Sequence, residues 1–108
     1  MDYQEIVFKL IVNGGNARSN SMMAIKLAKQ GKIEEAKNKI KEAEGDLQKA
    51  HEVQTNLIQD EAAGKNTEIS LLMIHGQDHL MNAITVKDIA KEMIDMCEEL
   101  KEIKNLIK

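Results

Sequence analysis

The stretch AKNKIKEAEGDLQKAHEVQTNL, residues 36–57, decides the fold because its periodicity is that of a long helix. Its seam positions recur at an average spacing of about 3.5 residues, as in a coiled coil: Ala36, Ile40, Ala43, Leu47, Ala50, Gln54 and Leu57. Lysine and glutamate fill the opposite face, where pairs one turn apart stabilise a solvated helix surface. The pattern predicts a helix from about Lys32 to Ala63, with Gly64 at its end.

The segment before it, from about Asp2 to Gln30, is also predicted to be helical. It carries a stripe of mostly small side chains at steps of three and four residues: Ile6, Leu10, Gly14, Ala17, Ser21, Ala24 and Ala28. Such a stripe lets another helix approach closely. The adjacent pair Gly14–Gly15 lowers helix propensity by roughly 1–2 kcal/mol, so the sequence allows a kink or break there.

The connections between the helical segments predict how the helices are arranged. Gly31 is expected to cap the first helix, and Asn66 or Thr67 to cap a third helix that runs to the C-terminus. Long helices joined by loops of about two to four residues must fold back on one another. The sequence therefore predicts an all-α, three-helix antiparallel (up-down-up) protomer, with residues 1–108 as a single domain.

The composition excludes several classes of function. The chain has 108 residues, a formal net charge of −3 and mixed charges, so a basic nucleic-acid-binding face is not expected. Only Phe8 and Tyr3 are aromatic and proline is absent, which favours helices over a sheet. The single cysteine, Cys97, excludes an internal disulfide, and the sequence shows neither a signal segment nor a run of about 18 apolar residues. We therefore expect a cytoplasmic protein without direct membrane insertion.

The third helix is predicted to bury more than one side. A wide apolar arc is expected to pack on the other two helices: Leu72, Met73, Gly76, Leu80, Ala83, Val86, Ala90, Ile94 and Cys97. Ile74 and Met81 fall on nearly the opposite side from this arc, and Leu71 and Ile89 lie near the other flank of His75. Two helices of the same chain cannot easily cover all of this surface. A symmetric homo-oligomer is therefore expected.

Polar side chains interrupt the apolar run of the third helix. Four of them fall within about 100° of arc on a helical wheel: His75, Asp78, His79 and Asn82. A structural role is the ordinary one for a helical histidine. The two histidines, four residues apart, suit zinc with Asp78 as a third ligand, but Gly76 stands where the zincin pattern needs glutamate. A hydrolase built on Ser70 is disfavoured because no oxyanion loop is visible.

A nucleophilic histidine is the third chemical interpretation of this patch. A neutral imidazole nitrogen can attack a phosphoryl group and hold it as a phosphoramidate. In this interpretation His75 is the nucleophile, His79 donates to the phosphoryl oxygens, and Gly76 leaves room for a partner's active site. The absence of arginine near the motif suits a carrier that must pass its phosphoryl group on.

The run SLLMIHGQDHLM, residues 70–81, resembles the signature of the lactose/cellobiose-type IIA components of the bacterial phosphoenolpyruvate-dependent sugar phosphotransferase system. The segment GNARS, residues 15–19, resembles part of the first helix of that family. The segment AHEVQTNLIQDEAAG, residues 50–64, resembles part of its second helix. The similarity covers nearly the whole chain.

The resemblance implies a phosphocarrier. His75 would accept a phosphoryl group from the histidine phosphocarrier protein and pass it to a cysteine of a cognate IIB component, during uptake of a β-linked disaccharide of the lactose, cellobiose or chitobiose type. His79 would help to hold the phosphoryl group, with Gln77 as a second helper. The protomers would form a homotrimer, a nine-helix bundle. In it, Asp78 of each subunit would approach the threefold axis and bind a divalent cation, magnesium.

A non-enzymatic helical interaction module is the alternative function. In that case the His/Asp patch would be a structural or metal-binding interface. The sequence leaves two further residues open: Arg18, which either anchors a carboxylate within the bundle or contacts a partner, and His51, which matches a family position. The particular sugar also stays open, since the resemblance is shared by components for several disaccharides.

Overall fold

The computed structural model describes residues 2–107, in which three α-helices and no strand are present. The helices are α1 (Tyr3–Lys29), α2 (Ile33–Ala62) and α3 (Leu71–Leu106). The domain predicted for residues 1–108 extends one residue beyond this range at each end. Within residues 2–107, no helix is both long and apolar enough to cross a membrane. α1 continues through Gly14–Gly15, so the break that the sequence allows does not occur.

Glycines end the first two helices by the same mechanism. At Gly31 the backbone φ is +83°, a left-handed conformation that side chains disfavour. The Gly31 N–H donates to the Ala28 carbonyl, and the Lys32 N–H donates to the Leu27 carbonyl, both at 2.9 Å. The same pair of hydrogen bonds is repeated at Gly64, where φ is +88°. These Schellman motifs confirm the helix ends predicted from the sequence.

The third helix begins later than the sequence predicted. Neither Asn66 nor Thr67 caps it: the N-cap is Ser70, whose Oγ accepts a hydrogen bond from the Met73 N–H at 3.1 Å. The hydroxyl of Tyr3 at the start of α1 lies 2.7 Å from the same Ser70 Oγ and holds it in place. The α2–α3 connection therefore runs over residues 63–70, longer than expected, because a contact with α1 selects the cap.

Hydrogen bonds at the two ends of the bundle define the helix directions. Tyr3 meets Ser70 at one end, and the Lys101 ammonium donates to the Gly31 carbonyl at 2.8 Å at the other. α1 and α3 are therefore parallel and α2 runs antiparallel to both, which confirms the predicted up-down-up arrangement. The chain measures 63 × 21 × 19 Å. Its core lies along the common axis and is built largely from small and aliphatic side chains, including Leu10, Ala17, Ala43 and Leu80.

One long face of α3 stays uncovered within the protomer. Its exposed apolar side chains follow each other along the helix and are called here the α3 stripe: Leu71, Ile74, Met81, Ile89, Met96, Leu100 and Ile103. Most of the inward arc that the sequence predicted is buried: Met73, Gly76, Leu80, Ala83, Ala90 and Ile94. Val86 and Cys97 are half-buried, and Leu72 is exposed. The α3 stripe shows that the three helices of one chain leave apolar surface available for another contact.

Candidate functional site

The two histidines of α3 form a direct pair. Nε2 of His75 lies 3.0 Å from Nε2 of His79, and the two rings are nearly perpendicular, with an interplanar angle of 85° and centroids 4.4 Å apart. At this distance one nitrogen donates its proton to the lone pair of the other. His75 is exposed, whereas His79 is half-buried. The structure thus gives two adjacent imidazoles different surroundings.

Gly76 fixes which side of α3 carries the histidines. A side chain at Gly76 would lie 3.2 Å from the Cβ of Leu10, so this glycine is packed against α1. Side chains of α1 therefore occupy the space beside Gly76. The expectation that Gly76 leaves room for a partner's active site is wrong. Because neighbouring residues in a helix are about 100° apart, His75 projects from the flank of the α1–α3 contact.

Gln77 lies on the opposite flank of α3. Two residues in a helix point about 200° apart when they are separated by two positions. Gln77 consequently faces α2, where its Oε1 accepts a hydrogen bond from Gln54 Nε2 at 2.6 Å. The structure does not bring Gln77 and His75 of the same chain together. The structure also identifies Gln54 as a polar partner of Gln77. The sequence signal for Gln54 was that a polar residue occupies a seam position of the second helix.

Asp78 projects away from α1 and is exposed. It follows Gly76 by two positions, so it lies on the side of α3 that carries the exposed α3 stripe. Within residues 2–107, no three His, Cys, Asp or Glu side chains are grouped so that they could hold a metal ion. Asp78 is therefore not part of such a group within one copy of residues 2–107.

Three further polar residues are not part of the histidine pair. Arg18 is exposed on α1, and it makes no ion pair with a carboxylate in the described part of the chain. The anchoring role considered for it is thus not seen within the protomer. His51 is exposed on α2 and is not part of the pair. Asn82, one turn after Asp78, is exposed as well.

The site is an open surface and not an enclosed cavity. Concave cavities occur at the other end of the bundle, such as one of about 300 Å³ lined by Lys29, Cys97, Lys101 and Lys104. The ring of His75, by contrast, is exposed on the surface of a helix. Small-molecule substrates are ordinarily bound in clefts that cover most of their surface. An exposed imidazole flanked by helix surface is better suited to reaction with another protein.

Comparison with known proteins gives one consistent family. Residues 5–98 match the family described as "PTS system, Lactose/Cellobiose specific IIA subunit". The lichenan-specific phosphotransferase enzyme IIA component of Bacillus subtilis (strain 168) is 52% identical over 101 residues, which cover 94% of this chain and 92% of that protein.

Solved structures share the same fold. The PTS cellobiose-specific enzyme IIA from Bacillus anthracis superimposes with a TM-score of 0.89 at 52% identity, covering 94% of each chain. The IIA(chitobiose) of Escherichia coli, solved in solution as a complex with HPr, superimposes with a TM-score of 0.79 at 38% identity, covering 94% of this chain and 98% of that one. The chain therefore belongs to the lactose/cellobiose-specific IIA family of phosphotransferase-system components.

Proposed function

We propose that this protein is a phosphocarrier that accepts a phosphoryl group on His75 and passes it to a cysteine of a cognate IIB component. The observation that carries the proposal is an exposed imidazole whose Nε2 is paired with Nε2 of His79 at 3.0 Å. A carrier needs a nucleophile that two partner proteins can reach in turn, and an exposed ring on a helix meets that need. Membership of the IIA family supports the same chemistry.

We assign the roles of the two histidines from their difference in burial. His79, half-buried, is the ring that the bundle holds, so we assign it the N–H that donates to the His75 lone pair. His75 then carries its own proton on Nδ1 and keeps Nε2 as the nucleophile. When the phosphoryl group arrives, the N–H of His79 turns to a phosphoryl oxygen, where it stabilises the negative charge.

The transfer consists of two displacements at phosphorus. In the first, Nε2 of His75 forms a bond to phosphorus as the phosphorus–nitrogen bond of the donor's phosphohistidine breaks. In the second, the thiolate of the IIB cysteine attacks phosphorus and the bond to His75 breaks, which returns the imidazole to its neutral state. Both steps require donor and acceptor to approach nearly in line, so the surfaces that align the proteins matter as much as the nucleophile.

The phosphoryl donor is proposed to be the histidine phosphocarrier protein. The Escherichia coli relative that forms a complex with HPr shares this fold, which supports a donor of the same class. The chain exposes apolar side chains that a docking partner would cover: Leu72, three residues before His75, is 57% exposed, and Phe8 on α1 is 66% exposed. A partner that covers them excludes water from the reacting atoms.

The protomers are proposed to assemble as a homotrimer through the α3 stripe. This stripe presents seven exposed apolar side chains along one helix, a surface that a closed symmetric assembly buries. Asp78 projects on this side. Three such carboxylates brought to one axis repel each other unless a cation neutralises them, and oxygen ligands suit a hard divalent cation such as magnesium. The proposed role of that cation is structural.

Gln77 is proposed to assist a neighbouring subunit. Its Oε1 is occupied by Gln54, which leaves its amide N–H groups as donors. Because Gln77 and His75 lie on opposite flanks of Asp78, a trimer with Asp78 on its axis turns Gln77 of one subunit towards His75 of the next. Each phosphoryl group would then receive hydrogen bonds from His79 in the same chain and from Gln77 of the adjacent one.

The proposed transport substrate is a β-linked disaccharide of the lactose, cellobiose or chitobiose type. Relatives with this fold carry names that refer to lichenan, cellobiose and chitobiose. The proposed chemistry of the chain concerns the phosphoryl group alone, and the sugar is bound by the membrane component of the system. The class of sugar therefore rests on the relatives and not on a sugar-binding cleft.

Phosphoryl labelling tests the proposal. The protein is incubated with ³²P-phosphoenolpyruvate, the first enzyme of the phosphotransferase system and its phosphocarrier protein. We expect a label that is labile in acid and stable in alkali, as a phosphoramidate is, and that is absent from His75→Ala. His51→Ala is the matched control, because it removes another exposed histidine from α2 and is expected to keep the label.

Two results would contradict the phosphocarrier. One is a wild-type protein that takes no label although the phosphocarrier protein itself is phosphorylated, which would favour a helical interaction module. The other is a label that persists in His75→Ala, which would place the acceptor elsewhere. Transfer onward is tested by adding the IIB component and following the label to its cysteine.

A further inference from the structure

Gly14 of α1 lies directly against the backbone of α3 at His79. A Cβ atom built on Gly14 would lie 3.2 Å from the carbonyl carbon of His79, 3.2 Å from the amide nitrogen of Leu80 and 3.3 Å from the His79 Cβ. Carbon atoms in good contact are ordinarily about 3.5–4.0 Å apart. Two of the three atoms belong to the α3 backbone, so no side-chain rotation can make room for a methyl group.

The neighbouring glycine shows that this contact is specific. Gly15 is also in the middle of α1, but a Cβ built there would have no atom within 4 Å. Each glycine lowers the helix propensity of α1 by roughly 1 kcal/mol relative to alanine. Of these two glycines, only Gly14 lies against another helix. Its missing side chain lets α3 approach α1 closely at His79.

The close approach explains why the two imidazoles differ in exposure. His79 is half-buried next to this contact, whereas His75, one turn earlier, is exposed. Half-burial restricts the rotamers that the His79 side chain can adopt, while the ring of an exposed residue samples several. In the orientation that remains, Nε2 of His79 is 3.0 Å from Nε2 of His75.

We propose that Gly14 is a positioning residue for phosphoryl transfer: its missing side chain lets α3 approach α1, which seats the imidazole of His79 with Nε2 directed at His75. This inference rests on the proposed function, in which that nitrogen later donates to the phosphoryl group. Gly14 touches neither the phosphoryl group nor a partner, and it acts only through His79.

The test compares Gly14→Ala with two matched glycine substitutions. In Gly14→Ala the α3 backbone at His79 must move by a few tenths of an ångström, and we expect phosphorylation of His75 to slow by roughly threefold to tenfold, since misplacement by about 1 Å costs about a hundredfold. Gly45→Ala makes the same change in α2, where nothing lies within 4 Å, and is expected to leave the rate unchanged.

Nuclear magnetic resonance of the unphosphorylated protein supplies a readout of position. The ¹⁵N shifts of the imidazole nitrogens report which nitrogen carries the proton and whether it is hydrogen-bonded. We expect Gly14→Ala to shift the Nε2 signals of His75 and His79 towards those of unpaired rings, and Gly15→Ala to leave them in place. Unchanged Nε2 signals in a folded Gly14→Ala protein would overturn the proposal.

A double-mutant cycle with His79→Ala separates positioning from general packing. If Gly14 acts through His79, Gly14→Ala causes no further loss of rate once His79 is alanine; additive losses would overturn the proposal. The wild-type protein gives a check that needs no variant, a nuclear Overhauser effect between the Gly14 Hα and His79 Hβ protons, and its absence would also refute the contact. A wild type that takes no label refutes the proposed function instead, and the ring signals still test Gly14.

Discussion

His75 and His79 show how two identical side chains acquire different surroundings. Their spacing of four residues guarantees that they are neighbours on a helix, and this much is local geometry. What separates them is their distance from α1: His79 is half-buried beside it, and His75 is exposed. A held ring suits the hydrogen-bond donor and an open ring suits the nucleophile. The roles assigned to them from the sequence stay predictions, to which the structure adds a physical reason.

The donor role of His79 predicts a large and specific loss of rate. In His79→Ala the phosphoryl group loses the N–H donor that its own chain is proposed to supply, so phosphorylation of His75 should slow by roughly a hundredfold, as when one preorganised donor is removed from an active site. His79→Gln, which keeps an N–H donor, should recover part of this loss. Single-turnover transfer of ³²P from the phosphocarrier protein measures both.

Circular dichroism of the same variant separates an effect on catalysis from an effect on folding. His79→Ala should retain its α-helical circular dichroism, because the side chain is only half-buried and pairs with an exposed ring. A variant that is fully helical and is phosphorylated as fast as wild type would contradict the donor role. It would leave His75 as the single essential histidine of the site.

At the scale of the elements, the start of α3 is where local sequence was least informative. Asn66, Thr67 and Ser70 are all residue types that cap helices well. The structure selects Ser70 because the hydroxyl of Tyr3 reaches both the Ser70 Oγ, at 2.7 Å, and the carbonyl oxygen of Glu68, at 2.8 Å. The cap is thus set by a contact between residues more than sixty positions apart, which local propensity does not contain.

This selection predicts unequal effects for two similar substitutions. Ser70→Ala should lower the free energy of unfolding by about 1 kcal/mol, the usual cost of losing an N-cap hydroxyl. Asn66→Ala should change it by much less, since Asn66 is exposed and lies outside the helix. Urea unfolding, with unchanged slopes in all variants, measures the difference. Equal losses at the two positions, or a larger loss at Asn66, would show that Ser70 is not the cap.

At the scale of the whole molecule, the chain is a rod with exposed apolar side chains along one side. Its dimensions are 63 × 21 × 19 Å, and the α3 stripe runs along it with apolar side chains exposed. Asp78 projects on the same side. Since a carboxylate on an apolar contact surface is unfavourable unless neutralised, this residue connects the proposed assembly to the proposed cation.

Replacing Asp78 tests that connection. In Asp78→Leu the repulsion between the three carboxylates of the proposed trimer is removed and its apolar surface becomes continuous, so the assembly should persist with an equal or higher Tm. The proposed divalent cation should be lost, because the carboxylate that each chain is proposed to contribute is gone. Sedimentation equilibrium, thermal unfolding and metal analysis measure the three quantities. A large fall in Tm with unchanged metal content would contradict the axial position of Asp78.

A second experiment introduces a charge into the α3 stripe and is expected to have the opposite effect on assembly. Ile89, which is 53% exposed, belongs to the α3 stripe, and Ile89→Lys should dissociate the proposed trimer because it places a charge on the apolar contact surface. Ile58 on α2 is 62% exposed and lies outside the stripe, so Ile58→Lys should remain trimeric. The reverse outcome would move the interface from α3 to α2.

The amino-acid sequence by itself determined the three helices, their up-down-up order and the glycines at 31 and 64, because periodicity and helix ends depend on residues close together in the chain. It also placed the histidines one turn apart. Only the tertiary structure decided that Ser70 caps α3, that Gln77 pairs with Gln54, and that Gly14 but not Gly15 is needed for packing. Each of these depends on atoms from a different helix, and no local pattern specifies where such atoms meet.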